Sequence, residues 1–210
     1  MFFCEKISSS IAFNCENIST TGTRRAWIIN FNDIDSVVYG SNKMIIEDII
    51  LKARKISYKV SGNQNSIQPK VTLINGTFVK NYDHIVSMIG FDISPAGKEN
   101  LQGAKNGLFV VIVENVFRGI GGNTAFEVYG IDSGLKFTLL DKDPNNADTQ
   151  GGFQFTLAND KNKEPFGART FFNTDYITTL DLIENLQFLN LLLDNGNNLV
   201  FDNGNRFLID

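Results

Sequence analysis

Between residues 84 and 129 the spacing of apolar and polar positions changes rhythm three times. His84-Ile85-Val86-Ser87-Met88-Ile89-Gly90-Phe91 sets large apolar residues against smaller or polar ones at the alternation that half-buries a strand. Ser94-Pro95 then offers an N-cap and a first-turn proline. Helix formers follow with Leu101 and Ala104 on one face, and Asn106-Gly107 supplies a left-handed stop, which predicts one short helix near 94–106. Residues 108–116 form an almost unbroken apolar run rich in β-branched side chains, the pattern of a strand covered on both faces. The glycines of Arg118-Gly119-Ile120-Gly121-Gly122-Asn123 permit the positive φ of a turn. Alternation resumes over 124–129, so this strand is expected to return antiparallel to the one before it. A sheet with one helix laid against it is the unit the rest of the chain is expected to join.

The flanks read as further short strands. Residues 4–15 alternate around Ser8-Ser9-Ser10 as a strand or hairpin, and 26–31 and 37–42 are strands ended by turn residues. Over 44–60 the positions of Met44, Ile45, Ile46, Ile49, Ile50 and Ile56 fit a helix about as well as two strands, and β-branching favours strands. Gln68-Pro69 admits only an edge strand or a strand start, because proline brings no N–H to a ladder. Asn75-Gly76 predicts a tight hairpin turn inside a strand pair over 71–79. Residues 135–140 and 151–157 alternate again, with polar loops at 141–150 and 159–165, and 175–190 reads as a strand followed by a short helix or linker. The tail repeats an apolar triplet and an Asn-Gly turn: Leu191-Leu192-Leu193, then Leu199-Val200-Phe201, then Phe207-Leu208-Ile209. Such a meander has no core of its own and must dock on the main body or on another subunit. The expected organisation is a β-sandwich domain over 1–180 and a β-meander extension over 181–210, mainly β in class, a sandwich or barrel of antiparallel sheets with one short flanking α-helix.

Composition sharpens this. Of 210 residues 18 are Phe and 18 Gly, against five Tyr and one Trp, which suits pleated surfaces joined by many turns. The net charge of −4 supplies no basic stripe to neutralise phosphates, which argues against tight nucleic-acid binding. No stretch has the length of a membrane span, and the N-terminus lacks the features of a secretory signal. Cys4 and Cys15 are expected to be reduced, buried thiols of a chain made in a cytoplasm.

Candidate chemistry is sparse, and no enzyme or cofactor is expected. His84 is the only histidine; it sits beside Asp83 within a strand, and nothing in the spacing brings it a nucleophile or a second acid, so a structural role is expected. Asp141, Asp143, Asn145 and Asp148 place oxygen ligands at intervals as calcium loops do, but Asn146 stands where the loop needs glycine and no glutamate closes it, so a solvated hairpin loop is the expectation. Gly119-Ile120-Gly121-Gly122 lacks the Lys-Ser/Thr of a phosphate loop. Phe-rich strands suggest a sugar-binding sandwich, yet the Trp and Tyr platforms of such sites are scarce. An apolar tail repeat and flat alternating strands without a catalytic cluster point instead to a chain that touches copies of itself.

Several stretches then resemble a known group. Tyr82-Asp83-His84-Ile85-Val86, Phe91-Asp92-Ile93-Ser94 leading into a helix with Lys98 to Leu101, Gly107-Leu108-Phe109-Val110-Val111-Ile112-Val113-Glu114-Asn115, and Phe126-Glu127-Val128-Tyr129-Gly130-Ile131-Asp132-Ser133-Gly134-Leu135 look like the tail tube proteins of phages infecting Bacteroidetes-type bacteria. Cys15-Glu16-Asn17 and Gly22 ahead of Trp27-Ile28-Ile29 resemble that group too. The resemblance implies a virion protein assembled in the host cytoplasm. Its subunits would share strands and a long hairpin in a continuous inner barrel, usually of hexameric rings, stacked into a conduit through which DNA passes without specific binding and without a membrane. Other tail proteins would be its partners. The Asn-Gly tail is not required of an ordinary tube subunit, which leaves a neck or tail-completion ring as an alternative. A carbohydrate- or receptor-binding sandwich is the alternative of another class. On this reading 44–60 with 61–69 is the inter-subunit hairpin, and Ile45, Ile49, Ile56, Tyr58, Leu193, Phe201 and Leu208 are interface residues. The N-terminus and residues 194–210 then make ring-to-ring contacts.

Overall fold

The apolar run of β7 (Phe109–Asn115) is covered over nearly its whole length, from Phe109 to Glu114. Its period-two alternation splits the core: Val110 and Ile112 face one hydrophobic cluster, and Phe109, Val111 and Val113 face another. The computed structural model that shows this describes residues 22–61, 66–76, 80–92, 94–161 and 163–187, with the backbone of 190–192 and 198–200. The remaining strands are β1 (Thr23–Asn30), β2 (Ile34–Tyr39), β3 (Ile45–Leu51), β4 (Tyr58–Ser61), β5 (Ile67–Asn75), β6 (Lys80–Gly90), β8 (Phe126–Tyr129), β9 (Lys136–Lys142), β10 (Phe153–Ala158), β11 (Arg169–Phe171), β12 (Asn190–Leu192) and β13 (Asn198–Val200). The helices are α1 (Pro95–Ala104) and α2 (Tyr176–Asn185). The class is mainly β.

A seven-stranded sheet runs β2-β3-β11-β8-β7-β1-β4, antiparallel throughout except where β11 lies parallel to β3, with Thr170 opposite Ile45. One face carries Trp27, Ile29, Ile46, Val110, Ile112, Phe126 and Phe171 and is covered by α2 through Tyr176, Leu180 and Ile183. The other face packs Ala26, Val111, Val113 and Tyr129 against Val86, Met88, Phe155 and Leu157 of a four-stranded sheet, β5-β6-β10-β9. That second sheet is antiparallel throughout. β12 and β13 pair with each other in a third, two-stranded sheet.

Several expectations change. β6 and β7 belong to different sheets, and α1 carries the chain from one layer to the other; Leu101 and Ala104 do pack on one side against the cluster between the sheets, though no residue of the helix is fully buried. A second helix, α2, covers the outer face of the seven-stranded sheet, where a strand followed by a helix or linker was expected: Asp175 caps it by accepting from Thr178 N at 2.8 Å, and Tyr176, Leu180 and Ile183 recur on one side. A domain boundary after residue 180 falls inside this helix. Asn75 lies opposite Lys80, so the connection is 76–79 rather than a two-residue Asn-Gly turn. Residues 44–60 do form two strands, but not one hairpin: β3 is enclosed between β2 and β11, β4 is the far edge of the same sheet, and the following β5 lies in the other sheet. Pro69 is on an edge strand, as its missing N–H requires. The expectations for Cys4 and Cys15 fall outside the described residues.

Gly122 shows why α2 sits where it does. Its φ is +90°, and a Cβ there would overlap Tyr176, so glycine lets the turn after β7 close against the first turn of α2.

Candidate functional site

The four-stranded sheet ends in β5 on one side and β9 on the other, and among the described residues neither has a second strand beside it. Ile89 N donates to Ser66 O at 2.9 Å, which sets the β5–β6 phase: from the register, Ile67, Pro69, Val71, Leu73 and Asn75 turn their backbone groups outward. The first part of that edge is blunted. Thr23 Oγ1 donates to Ile67 O at 2.6 Å, and Pro69 has no N–H to offer. The open part is therefore Val71 to Asn75, and Leu73 there is 49% exposed. The β9 edge carries Leu139, also exposed, and a register shift opposite Thr156/Leu157. The face of this sheet turned away from the core mixes polar residues, Lys70, Asp83, Ser87, Thr156 and Asp141, with apolar ones, Ile74, Ile85, Ile89 and Leu139, without a basic stripe, and Asp83 is paired with Lys163 at 2.8 Å.

Beneath the sheet lies a buried polar lock. The imidazole of His84 receives Gly130 N–H on Nδ1 at 3.2 Å and gives its Nε2 proton to Phe166 O at 3.0 Å, with its ring edge-on to Tyr129. Both nitrogens are engaged in the neutral form, and burial holds its pKa down to about 4. Glu164, fully buried, accepts from Asp132 N at 3.1 Å and from Ser133 N and Oγ at 2.9 and 2.8 Å; burial raises its pKa against these bonds. Arg169 bonds Asp132 at 2.7 Å and lies over the rings of Phe166 and Tyr39. Asn159 ties β6 to the turn at 130–134 by accepting from His84 N and donating to Ser133 Oγ and Gly134 O. These bonds hold the turn at 130–134 and β6 together, with Arg169 Nε left as a buried donor.

A second buried acid, Glu114, anchors α2. It accepts from Arg25, from Tyr176 Oη at 2.8 Å and from Arg118 at 3.5 Å, while Glu184 on the helix takes Arg25 at 3.2 Å and Lys59 at 2.8 Å. Charges alone do not say which acids are buried, and neither Glu114 nor Glu164 was legible as such; the one signal was Glu114 within an otherwise apolar strand.

On the other side of the body an open groove of about 530 Å³ runs between β4 and α1. Phe109, Phe137 and Phe155 line it, Tyr58 and Phe91 are its exposed aromatic residues, and Leu101 and Ala104 of α1 border it. The glycines Gly97 and Gly103 lie inside α1, which weakens that helix.

The residues singled out from sequence scatter. Ile49 is a core residue, 1% exposed, so its side chain is not on a surface of the chain. Ile45 and Ile56 are half-buried, and Tyr58 is exposed at the groove. Leu193, Phe201 and Leu208 fall outside the side chains described. Asp141 belongs to β9, Asp143 accepts from Asn145 N at 2.9 Å, and Asn146 accepts from Asp148 N at 2.8 Å, so Asp143 and Asn146 turn their side-chain oxygens on the loop's own backbone. Among the described residues no three His, Cys, Asp or Glu side chains gather to hold a metal, and no helix is long and apolar enough to cross a membrane. Compared with protein-family models, with curated proteins and with solved structures, the chain matches none.

Proposed function

We propose that this chain is a structural subunit whose four-stranded sheet joins edge to edge with copies of itself into a ring, and that stacked rings form a DNA conduit of the phage tail kind. One observation carries the reading. Four strands that alternate in direction leave β5 and β9 antiparallel to each other at the two open edges. A second copy set beside the first in the same orientation therefore continues the alternation, β9 against the next β5, and repeated rotation closes a ring. Six copies would give about 24 strands, and with about 4.8 Å between strands and about 40° of tilt the backbone radius is ~24 Å, room for a duplex inside lining side chains. The face that would line the bore carries no basic stripe, which supports passage of DNA without adhesion.

The test is Leu73→Pro. Leu73 turns its N–H to the open edge, so proline removes a donor there and leaves the β5–β6 bonds intact, as Pro69 does two pairs away. Negative-stain images and light scattering of the purified wild-type chain should show rings or tubes, and Leu73→Pro should stay monomeric with an unchanged circular dichroism spectrum. A wild-type chain that is monomeric at high concentration, or a proline variant that assembles as well as wild type, would sink the reading.

A further inference from the structure

The four-stranded sheet is electrically polar along its strands. At one end, where β6 stops at Gly90 and β9 runs into β10, stand the exposed Asp92, Asp141, Asp143 and Asp148, with Lys142 among them; Lys98 and Glu99 of the adjoining α1 offset each other. At the other end, where β5 turns into β6 and β10 runs on to Glu164, stand Lys80, Lys136, Lys161 and Lys163, with Lys70 nearby on β5. Two of these cations are answered within the chain, Lys136 by Asp160 at 2.9 Å and Lys163 by Asp83 at 2.8 Å, while Asp132 is taken by Arg169 and Glu164 is buried. Among the described residues, Lys70, Lys80 and Lys161 have no carboxylate in ion-pair reach, and the four aspartates of the opposite end have no cation.

We propose that these two ends are the axial faces of the ring, and that copies stack head to tail with the acidic end of one against the basic end of the next. The proposal rests on the edge-to-edge ring described above and names the surfaces by which such rings would join. β6 runs the full distance between the ends, and its eleven residues rise about 34 Å. That is several times the Debye length of about 8 Å at physiological salt, so the two ends of one copy cannot neutralise each other. Nor can a neighbour within the ring. Copies set side by side in the same orientation bring acid beside acid and lysine beside lysine. The missing charge can come only from a copy displaced along the strands. A copy stacked the other way up meets like charge, so the stack has one direction. A contact between unlike ends does not close on itself, so it extends from ring to ring as an open tube. One exposed ion pair contributes little, but a ring repeats the contact at every subunit and the contacts act together.

Salt and charge reversal test this separately from ring closure, which backbone hydrogen bonds would hold. Between about 50 mM and about 500 mM NaCl, the mean stack height of the wild-type chain in negative stain should fall by about tenfold or more, with ring diameter unchanged. Lys80→Glu with Lys161→Glu, and separately Asp141→Lys with Asp148→Lys, should each give rings that do not stack. Asp143 is left in place because it holds Asn145 N. Mixed in equal amounts, the two variant rings should stack again in alternation, because each then meets the opposite sign at both ends. Stacks that keep their height across the salt range would overturn the proposal, as would variants that stack alone as well as wild type or fail to stack when mixed. A wild-type chain that forms no rings at any salt would sink the edge-to-edge reading and this proposal with it, whereas rings whose stacking ignores charge would sink this proposal alone.

Discussion

The two main sheets solve the problem of their surfaces in opposite ways. The seven-stranded sheet is covered on one face by α2 and on the other by the second sheet, and its buried acid Glu114 is held by Arg25 and Tyr176. Among the described residues the four-stranded sheet has one covered face, one open face and two open edges. The difference teaches that the first is built to hold the chain together and that the second is kept in shape from below, by the His84–Glu164 lock, while its rim has no partner strand among the described residues. Substitutions in the first should act on stability, and, on the proposed reading, substitutions on the rim and open face of the second should act on association.

The largest effect is expected at Phe126, fully buried and stacked on Tyr176 at 5.5 Å with Trp27 edge-on at 6.0 Å. Phe126→Ala should cost about 3–5 kcal/mol in urea unfolding, and a loss under 1 kcal/mol would break the comparison at its strong end. Next comes the lock. Because the pKa of His84 is lowered from 6.5 to about 4, the unfolded chain binds the proton first on acidification. The stability this residue gives at neutral pH is thus lost as pH falls from about 6.5 to about 4, by up to about 3 kcal/mol. The raised pKa of Glu164 acts with the opposite sign, so the reading is the difference between wild type and His84→Gln at each pH. Wild type should lose stability more steeply across this window than the variant, and parallel unfolding midpoints would remove His84 from the lock. The smallest effect belongs to the open face: Ser87→Ala, which removes a hydroxyl contact to Thr156 at 3.0 Å, should change stability by no more than about 0.5 kcal/mol. A larger loss would mean that this face is covered.

What could be read from residues alone follows the same division. The covered strand β7 and the turn after it announced themselves, because burial on both faces demands an apolar run and a positive φ demands glycine. Pro69 marked an edge, for want of an N–H. The β5–β6 connection was misread because the inward alternation that sets Ile67 opposite Met88 fixes the register, and Asn75-Gly76 does not. α2 was blurred by Ile177, Thr178 and Thr179, β-branched residues that suit strands, although Tyr176, Leu180 and Ile183 held helical spacing. The open edges were anticipated as a kind of surface but not located, because Ile49 reads like an edge residue until β11 is known to lie beside β3. No local pattern announces a pairing between segments that far apart.

That same parallel pairing sets an order of events. Ile45 and Ile46 wait for Thr170 and Phe171, whereas the last strand of the four-stranded sheet ends at Ala158. During synthesis the four-stranded sheet and its edges can therefore form while the supporting layer still lacks a strand and a helix. Long-range closure of this kind is slow and leaves unfinished chains prone to clump, so nascent copies crowded on one messenger are the ones most exposed to premature association.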